Sequence, residues 1–599
     1  MAVFPIGAWV STRLGPNPPE GAVLLGTWLQ GALWGAWAAL LAAQRGELAL
    51  RAGLLSLGIV AAVSALYGFY HHAVVRPDMI RLLEGGHQFG DFTSDQLLGN
   101  IRQSRMTSTF GDPNHLGLIC AAGAVALLGL AATSAHRLPL VILASLACIV
   151  LTAEIMTVSR GGLLSLFAGL IALAVGLLSA QGHLRGKSLA YVIGGLILLG
   201  AVTVGTLWLV SPGALQRFGN LTTVRERLGY WRIAWSVFWL NPLLGQGAGG
   251  FVTWYLTHRP EGLGEAKFAH SLPLEILADT GILGAALLVL PFLPGLRGAG
   301  ATHQVPVLIA VLTVFVSNSL VQFSILFREL WVDFMLVTGL WLGLSLATRV
   351  EGSRSSWAAV GPFLMALAVA LIAPADLWRA RTEIIDDVAL AAMGSGDSAL
   401  ALEMTHRMID LEPGYDRWRV RGAQNLIALA QSSDAPRLRL LAEAEQHLAV
   451  AERLNPRRPS IYTTRSEMMS RRGDHEGAVR ELRRALERDP FSPELRAQMA
   501  RAWATLGAFA SAEEEAQRAI RLSRGDERAL LVWAELLLEQ ARLTEAREVV
   551  GEMLRRRSGN VDALKLLAEI ELAEGDRDAA RAAARRAVAL RPWDEALRG

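Results

Sequence analysis

The sequence is short of charge, of cysteine and of any concentrated basic patch, and each shortage excludes something. Charged residues are 19% of the 599, whereas soluble domains carry about 25%; hydrophobic residues reach 52% and the mean hydropathy is +0.34. At this length and composition one compact soluble domain is not expected. Cys120 and Cys148, the two cysteines, lie inside apolar runs with no Cys or His neighbour at metal spacing, so neither a disulfide framework nor a zinc site is expected from them. Net charge is only +3, and the arginines are spread out with no interleaved aromatic patch, so a pI near 9.0 does not point to nucleic acid. Met1 to Val10 has no basic start followed by an h-region and cleavage site, so the first spanning helix is expected to direct insertion.

What is present divides sharply. From Gly21 to about Pro374 the chain is mostly apolar runs; from Asp376 onward it is dense in Ala, Leu, Glu and Arg. The expected fold is all-α: a polytopic helical membrane domain over 1–375, then a soluble tetratricopeptide-type α-solenoid over 376–599. A spanning helix needs roughly 20 mostly apolar residues. Runs of that kind stand near 21–43, 48–71, 115–133, 139–157, 161–180, 189–210, 281–296, 305–325, 330–348 and 357–374. The seventh is short, with Pro291 and Pro294 near its end. Two polar stretches, about 72–114 and 211–280, interrupt the series. Arg45, Arg51, Arg137, Arg185, Lys187, Arg297, Arg349 and Arg354 all fall in one set of alternate short loops, and the other set holds chiefly Arg328. The basic set is cytoplasmic by the positive-inside rule. Both long stretches and the C-terminal domain are then expected to lie outside the cytoplasm.

The C-terminal part repeats. Pro456, Pro490 and Pro592 fit a 34-residue frame, as do Gly473, Gly507 and Gly575 with Ala541 between them, and Ala478, Ala512, Ala546 and Ala580. Small residues where paired helices touch, at this period, are the tetratricopeptide pattern. Gly396, Ala401 and Pro413 suggest an earlier, looser unit. A second loose unit ends at Pro456 with about nine inserted residues, giving about six repeats over 379–593. Such an array offers a concave surface for a protein partner; it also reads as a packing spacer.

Four patches map to the outer side: Arg105-Met-Thr-Ser-Thr-Phe-Gly-Asp-Pro-Asn-His115; Val158-Ser-Arg-Gly-Gly162; Arg227-Leu-Gly-Tyr-Trp231 with Asn241-Pro-Leu-Leu-Gly-Gln-Gly247; and Ala269-His-Ser-Leu-Pro-Leu-Glu275 running on to Asp279-Thr-Gly-Ile-Leu-Gly284. Each has a plain structural reading. Asn114 is a good N-cap. Arg160 reads as an interface anchor, Arg227 and Trp231 as a surface cation–aromatic pair, and His270 as a loop histidine. Gly281 and Gly284 read as helix-packing glycines. Gly245-Gln-Gly-Ala-Gly-Gly250 satisfies G-x-G-x-x-G, but outside a strand–turn–helix unit it does not bind dinucleotide; a glycine-allowed turn is expected. Taken together, arginines at an outer membrane face suit a phosphate or pyrophosphate headgroup, and a nearby histidine suits proton transfer from an acceptor hydroxyl. Among these patches no Asp-x-Asp or His/carboxylate cluster suggests a catalytic metal, and no cofactor is expected.

In this order, from about Arg105 to Trp341, the patches resemble the O-antigen ligase and polymerase superfamily of membrane glycosyltransferases. Phe110-Gly-Asp-Pro-Asn114, Ser159-Arg160-Gly161, Arg227-x-x-x-Trp231 to Pro242-Leu-Leu-Gly245, and His270 with Glu275 and Gly281 carry the resemblance. Ser271 stands where Asn is common, and Asp279 where Glu is common. The resemblance implies a GT-C-like helical fold, an undecaprenyl-pyrophosphate-linked glycan donor and an extracytoplasmic acceptor: a lipid, a glycan or a protein. It implies that Arg160 and Arg227 meet the donor pyrophosphate and that His270 is catalytic; Arg105, Asn114, Trp231 and Glu275 are expected to bind substrate. Three readings remain: a ligase, a repeat-unit polymerase, and a non-catalytic envelope-assembly scaffold acting through its repeats.

Overall fold

The computed structural model describes residues 18–84, 105–108, 112–182, 222–264, 266–290, 304–322, 324–347, 396–432, 437–523 and 527–590, with scattered residues in 194–205 and 381–393. Among the described residues the regular structure is helical. They form two compact units.

The first unit contains α1 (Pro18–Arg45), α2 (Glu47–Tyr70), α3 (Arg76–Glu84, whose end belongs to the second unit), α4 (Pro113–Ala132), α5 (Arg137–Thr157) and α6 (Arg160–Ala180). It continues with α7 (Thr222–Leu240), α8 (Gly250–His258, whose end from Leu256 belongs to the second unit), α9 (Leu272–Val289), α10 (Val305–Val321) and α11 (Arg328–Ala347). By length and composition, five helical stretches among the described residues can cross a membrane: Glu47–Arg81, Pro113–Ala132, Arg137–Thr157, Arg160–Ala180 and Leu272–Val289. A π-helical turn, His71–Val75, joins α2 to α3, so this helix runs on past the span expected to stop at 71. The run near 357–374, and that near 189–210 apart from a few scattered residues, lie outside the described residues.

Burial separates the helices by role. The most apolar stretch of α4 is 83% buried, that of α5 only 22%. α4 is the axis of the bundle, and its Gly and Ala residues let neighbours approach closely: a Cβ on Gly123 would collide with the Ala61 Cβ of α2. α5 and α6 instead expose Leu138, Val141, Ile142, Leu164 and Ile171, a surface suited to lipid. Gly339 and Gly343, four apart on α11, sit against the Gly35 and Ala39 carbonyls of α1, the small-xxx-small contact of membrane helices.

One expected boundary is corrected. The apolar pattern puts the seventh span at 281–296, but the helix starts at Leu272, led by Pro273, and is kinked at Gly281. Glu275 and Asp279 make its first half look polar. Both carboxylates are buried because backbone N–H groups of neighbouring loops meet them, which removes much of the cost of burial.

The second unit contains α12 (Ser398–Leu411), α13 (Asp416–Ser432), α14 (Arg437–Leu454), α15 (Pro459–Arg471), α16 (His475–Arg488), α17 (Pro493–Thr505), α18 (Phe509–Ser523), α19 (Glu527–Glu539), α20 (Leu543–Arg556), α21 (Val561–Glu574) and α22 (Arg577–Leu590). From α15 onward, first helices begin at 459, 493, 527 and 561, and second helices at 475, 509, 543 and 577. That is the 34-residue frame of tetratricopeptide repeats. Ala478, Ala512 and Ala546 are fully buried and Ala580 nearly so. Gly473, Gly507 and Gly575 turn between helices at positive φ, and Ala541 takes the same conformation at φ 55°. Most of the nine-residue excess before Pro456 goes into lengthening α13 and α14 to 17 and 18 residues.

Candidate functional site

The site is built where α4 begins and where α5 turns into α6. Asp112, not Asn114, is the N-cap of α4: its carboxylate accepts from the Asn114 N–H at 2.7 Å, with Pro113 at the first helical position. That leaves the Asn114 side chain for other work. Its Oδ1 accepts from Arg105 at 3.0 Å and from the Ser159 hydroxyl at 3.0 Å. Arg105 also donates to the Thr157 carbonyl at 2.9 Å. Arg105 and Asn114 thus pin the α5–α6 turn. In that turn Val158 takes a left-handed conformation, φ 51°, uncommon for a β-branched residue. Ser159 then caps α6 by accepting from the Gly162 N–H.

Arg160 is consequently the first residue of α6. A cation there opposes the helix dipole, and the two positive groups together favour an anion. Its guanidinium donates to the Thr223 hydroxyl at 3.3 Å, which brings it to α7. Arg227, one turn further along α7, donates to the Val321 carbonyl at the end of α10 at 3.0 Å. Its pKa lies below the ordinary arginine value, through burial first and then the charge of Arg160, with Asp112 and Tyr230 pulling the other way. The Trp231 indole N–H donates to the His270 carbonyl at 3.4 Å.

His270 ends the loop before α9. It is a non-glycine residue at φ 54°, a conformation that costs on the order of 1–3 kcal/mol and persists only where surroundings enforce it. Those surroundings are visible. Trp231 holds its carbonyl; Tyr230 stacks on its ring at 5.3 Å and 25°; buried Glu275 accepts from the preceding Ala269 N–H at 2.5 Å. Burial, then the charge of Arg227, push the imidazole pKa down to about 4, against Asp112 and a hydrogen bond with Gln322. The ring is neutral at physiological pH.

The glycine-rich stretch packs against α9. Gly245, Gly247 and Gly249 all have positive φ, and the Gln246 and Gly247 N–H groups donate to the Ala278 and Asp279 carbonyls of α9. A Cβ on Gly245 would collide with the Asp279 carbonyl group. The Asp279 carboxylate in turn accepts from the Gly249 and Phe251 N–H groups and caps α8. G-x-G-x-x-G here is a turn fitted into a broken helix.

Arg160, Arg227 and His270 therefore share one electrostatic neighbourhood, while Arg105, Asn114, Trp231 and Glu275 brace it. Sequence reasoning missed Tyr230, Gln322 and the capping role of Asp112. Gln322 carried little signal, since it stands at the end of an apolar run that already holds Asn318.

Residues 140–289 match the family model described as O-Antigen ligase, and residues 470–536 match that described as Tetratricopeptide repeat. The first match contains Arg160, Arg227, Trp231, His270 and Glu275; Arg105 and Asn114 precede it. The comparison with curated proteins gave no match. Among solved structures, the chain is similar to a thermophilic tetratricopeptide protein of Thermus thermophilus, at 22% identity over 31% of this chain and 91% of that one, TM-score 0.26. It is also similar to PilF of Pseudomonas aeruginosa, at 16% over 37% and 96%, TM-score 0.28, and to the type IV pilus biogenesis factor PilW, at 18% over 36% and 96%, TM-score 0.29. The chain thus has a segment that matches the O-Antigen ligase model, helices long and apolar enough to cross a membrane, and a following segment that matches the Tetratricopeptide repeat model.

Proposed function

We propose that this protein is a glycosyltransferase of the ligase type, moving a glycan from an undecaprenyl-pyrophosphate donor onto an extracytoplasmic acceptor: a lipid, a glycan or a protein. The observation that carries this reading is the crowding of positive charge at Arg227, beside Arg160 and next to a neutral histidine. A half-buried guanidinium held against a second one is a site that an anion completes. Pyrophosphate fits, because its oxygens match the guanidinium fork.

The acceptor hydroxyl oxygen attacks the anomeric carbon, the bond from that carbon to the phosphate oxygen breaks, and the hydroxyl proton passes to His270. The lipid pyrophosphate departs with its charge, where Arg160 and Arg227 favour the transition state over the ground state. Bound donor also offsets the Arg227 charge and raises the His270 pKa toward the working range of a general base.

In this reading 1–375 is the membrane domain in the bacterial inner membrane. The repeats of 376–599 lie on its outer side, offered to a protein partner or to a protein-linked acceptor. The test is transfer from a lipid-linked glycan in reconstituted membranes. Arg160→Ala, Arg227→Ala and His270→Ala should each lose turnover while remaining inserted, with donor binding kept in His270→Ala. Wild-type rates in all three would leave the scaffold reading. Deletion of the gene separates the enzyme readings: loss of capped lipopolysaccharide indicates a ligase, loss of long chains a polymerase, and loss of protein glycosylation a protein acceptor. A reporter active only outside the cytoplasm, fused after Gly599, should be active; silence would place the repeats inside.

A further inference from the structure

The repeat unit holds one cluster that the transfer reaction leaves unused. His406 stands on α12; Glu443 and His447 stand one turn apart on α14, so both side chains of that helix leave the same face. One ligand-capable atom from each of the three lies within 4.8 Å of the others. His406 Nε2 is 3.8 Å from a Glu443 carboxylate oxygen, and the two imidazoles lie 5.8 Å apart at 29°. All three are partly exposed, so an ion has access.

We propose that His406, Glu443 and His447 bind a divalent transition-metal ion of the zinc class. Two imidazoles and one carboxylate are an open zinc set, leaving a fourth position for water or a partner's donor. At bonds of about 2.0–2.1 Å a tetrahedral ion draws its ligand atoms to about 3.3 Å from one another. The cluster needs a closure of roughly 1.5 Å at most, within reach of rotamer adjustment in half-exposed side chains.

One feature sets the cluster apart from an ordinary surface pair. The repeat unit is rich in arginine, and Glu445, Glu452, Glu481, Glu513, Glu515 and Glu571 all pair with it; Glu443 faces an imidazole instead. Arg419 is the opposing element. Its guanidinium lies 3.5 Å from His447 Nδ1, so the metal takes the other ring nitrogen and Arg419 withdraws. Binding would tie α12 to α14 across α13, in the stretch where the helices depart from the 34-residue frame.

The test uses the full chain in detergent, stripped with a chelator and titrated with Zn²⁺ against a chromophoric competitor, then with Co²⁺ followed by its visible absorption. One ion per chain is expected. His406→Ala and His447→Ala should each weaken binding by more than the roughly 10–100-fold typical of changes to groups that only orient a ligand, and Arg419→Gln should tighten it. Zn²⁺ should raise the melting temperature of the wild type and not that of His447→Ala. The chain has 12 histidines, so an ion that binds both alanine variants as tightly as the wild type sits elsewhere and overturns the proposal. So does a wild type that binds no ion at about 100 µM, a concentration far above the affinity of a three-ligand zinc site.

Discussion

Two groups of arginines, one in each unit, do opposite things. Three in the repeats are neutralised: Arg465 meets Glu445, Glu452 and Glu481, Arg484 meets Glu452 and Glu481, and Arg547 meets Glu571 and Glu574. The pKa of each is raised, because the carboxylate partners outweigh desolvation. In the membrane unit Arg227 bonds a neutral carbonyl, and burial together with Arg160 lowers its pKa. A paired arginine is finished as a piece of structure. An arginine held against its electrostatic preference is stored for a ligand, and pKa perturbation of this kind marks functional sites.

The sharpest way to break the contrast is to truncate one arginine of each kind. Arg227→Ala should cut transfer by about 10²–10³-fold, or roughly 3–4 kcal/mol of transition-state stabilisation, with little change in melting. Arg227→Lys should recover only part, since the charge remains and the fork is lost. Arg465→Ala should do the reverse. Its side chain is 6% exposed and its three partners would be left facing one another; about 3 kcal/mol of stability should go, the low end for a broken buried pair because the partners are partly hydrated. Transfer by the folded fraction should be unchanged. Equal losses of activity in the two variants would erase the distinction.

A smaller effect tests the packing that carries the repeat arginines. Ala512 is fully buried against α17 and its neighbours, so Ala512→Leu should overpack that seam by roughly 1–3 kcal/mol, read as a lower melting temperature of the repeat transition.

Two smaller effects sharpen the site. The neutral imidazole is the active form of His270, so rate falls as pH drops through its pKa. For the free enzyme, kcat/KM should hold until near pH 4, while the acid limb of kcat, which reports the donor complex, should lie higher. In Arg227→Gln the kcat/KM limb should move up, because one cause of the lowered pKa is gone. Coincident limbs in both proteins would mean that Arg227 does not act on His270. Finally, His270→Gly should melt higher than His270→Ala by an amount corresponding to about 1–2 kcal/mol, since glycine is at ease at φ 54° and alanine is not.

Legibility differs between the two units for a physical reason. The repeat contacts are periodic and local, so Ala478, Ala512, Ala546 and Ala580 stand out at one spacing and lie buried at helix seams. The spans through 180 are equally readable, because lipid demands long apolar runs. α9 is not, because its buried carboxylates are satisfied by loops whose approach no local pattern announces. Arg160, Arg227 and His270 stand out as types of chemistry, but Asn114 has the look of a cap in sequence when the cap is Asp112. Gln322 hides at the end of an apolar run.

Composition and period by themselves determined that this chain is helical throughout its readable parts, that one portion belongs in a bilayer, and that another stacks helix pairs at 34 residues. Those properties follow from side-chain hydrophobicity and helix geometry, which act over one to a few turns. Only the tertiary structure decided that Arg227 sits next to His270, that a glycine turn fits against the kink of α9, and that His406 meets Glu443 and His447. Each depends on residues tens of positions apart coming within a few ångströms, where desolvation and Coulomb forces become strong enough to set a proton's affinity.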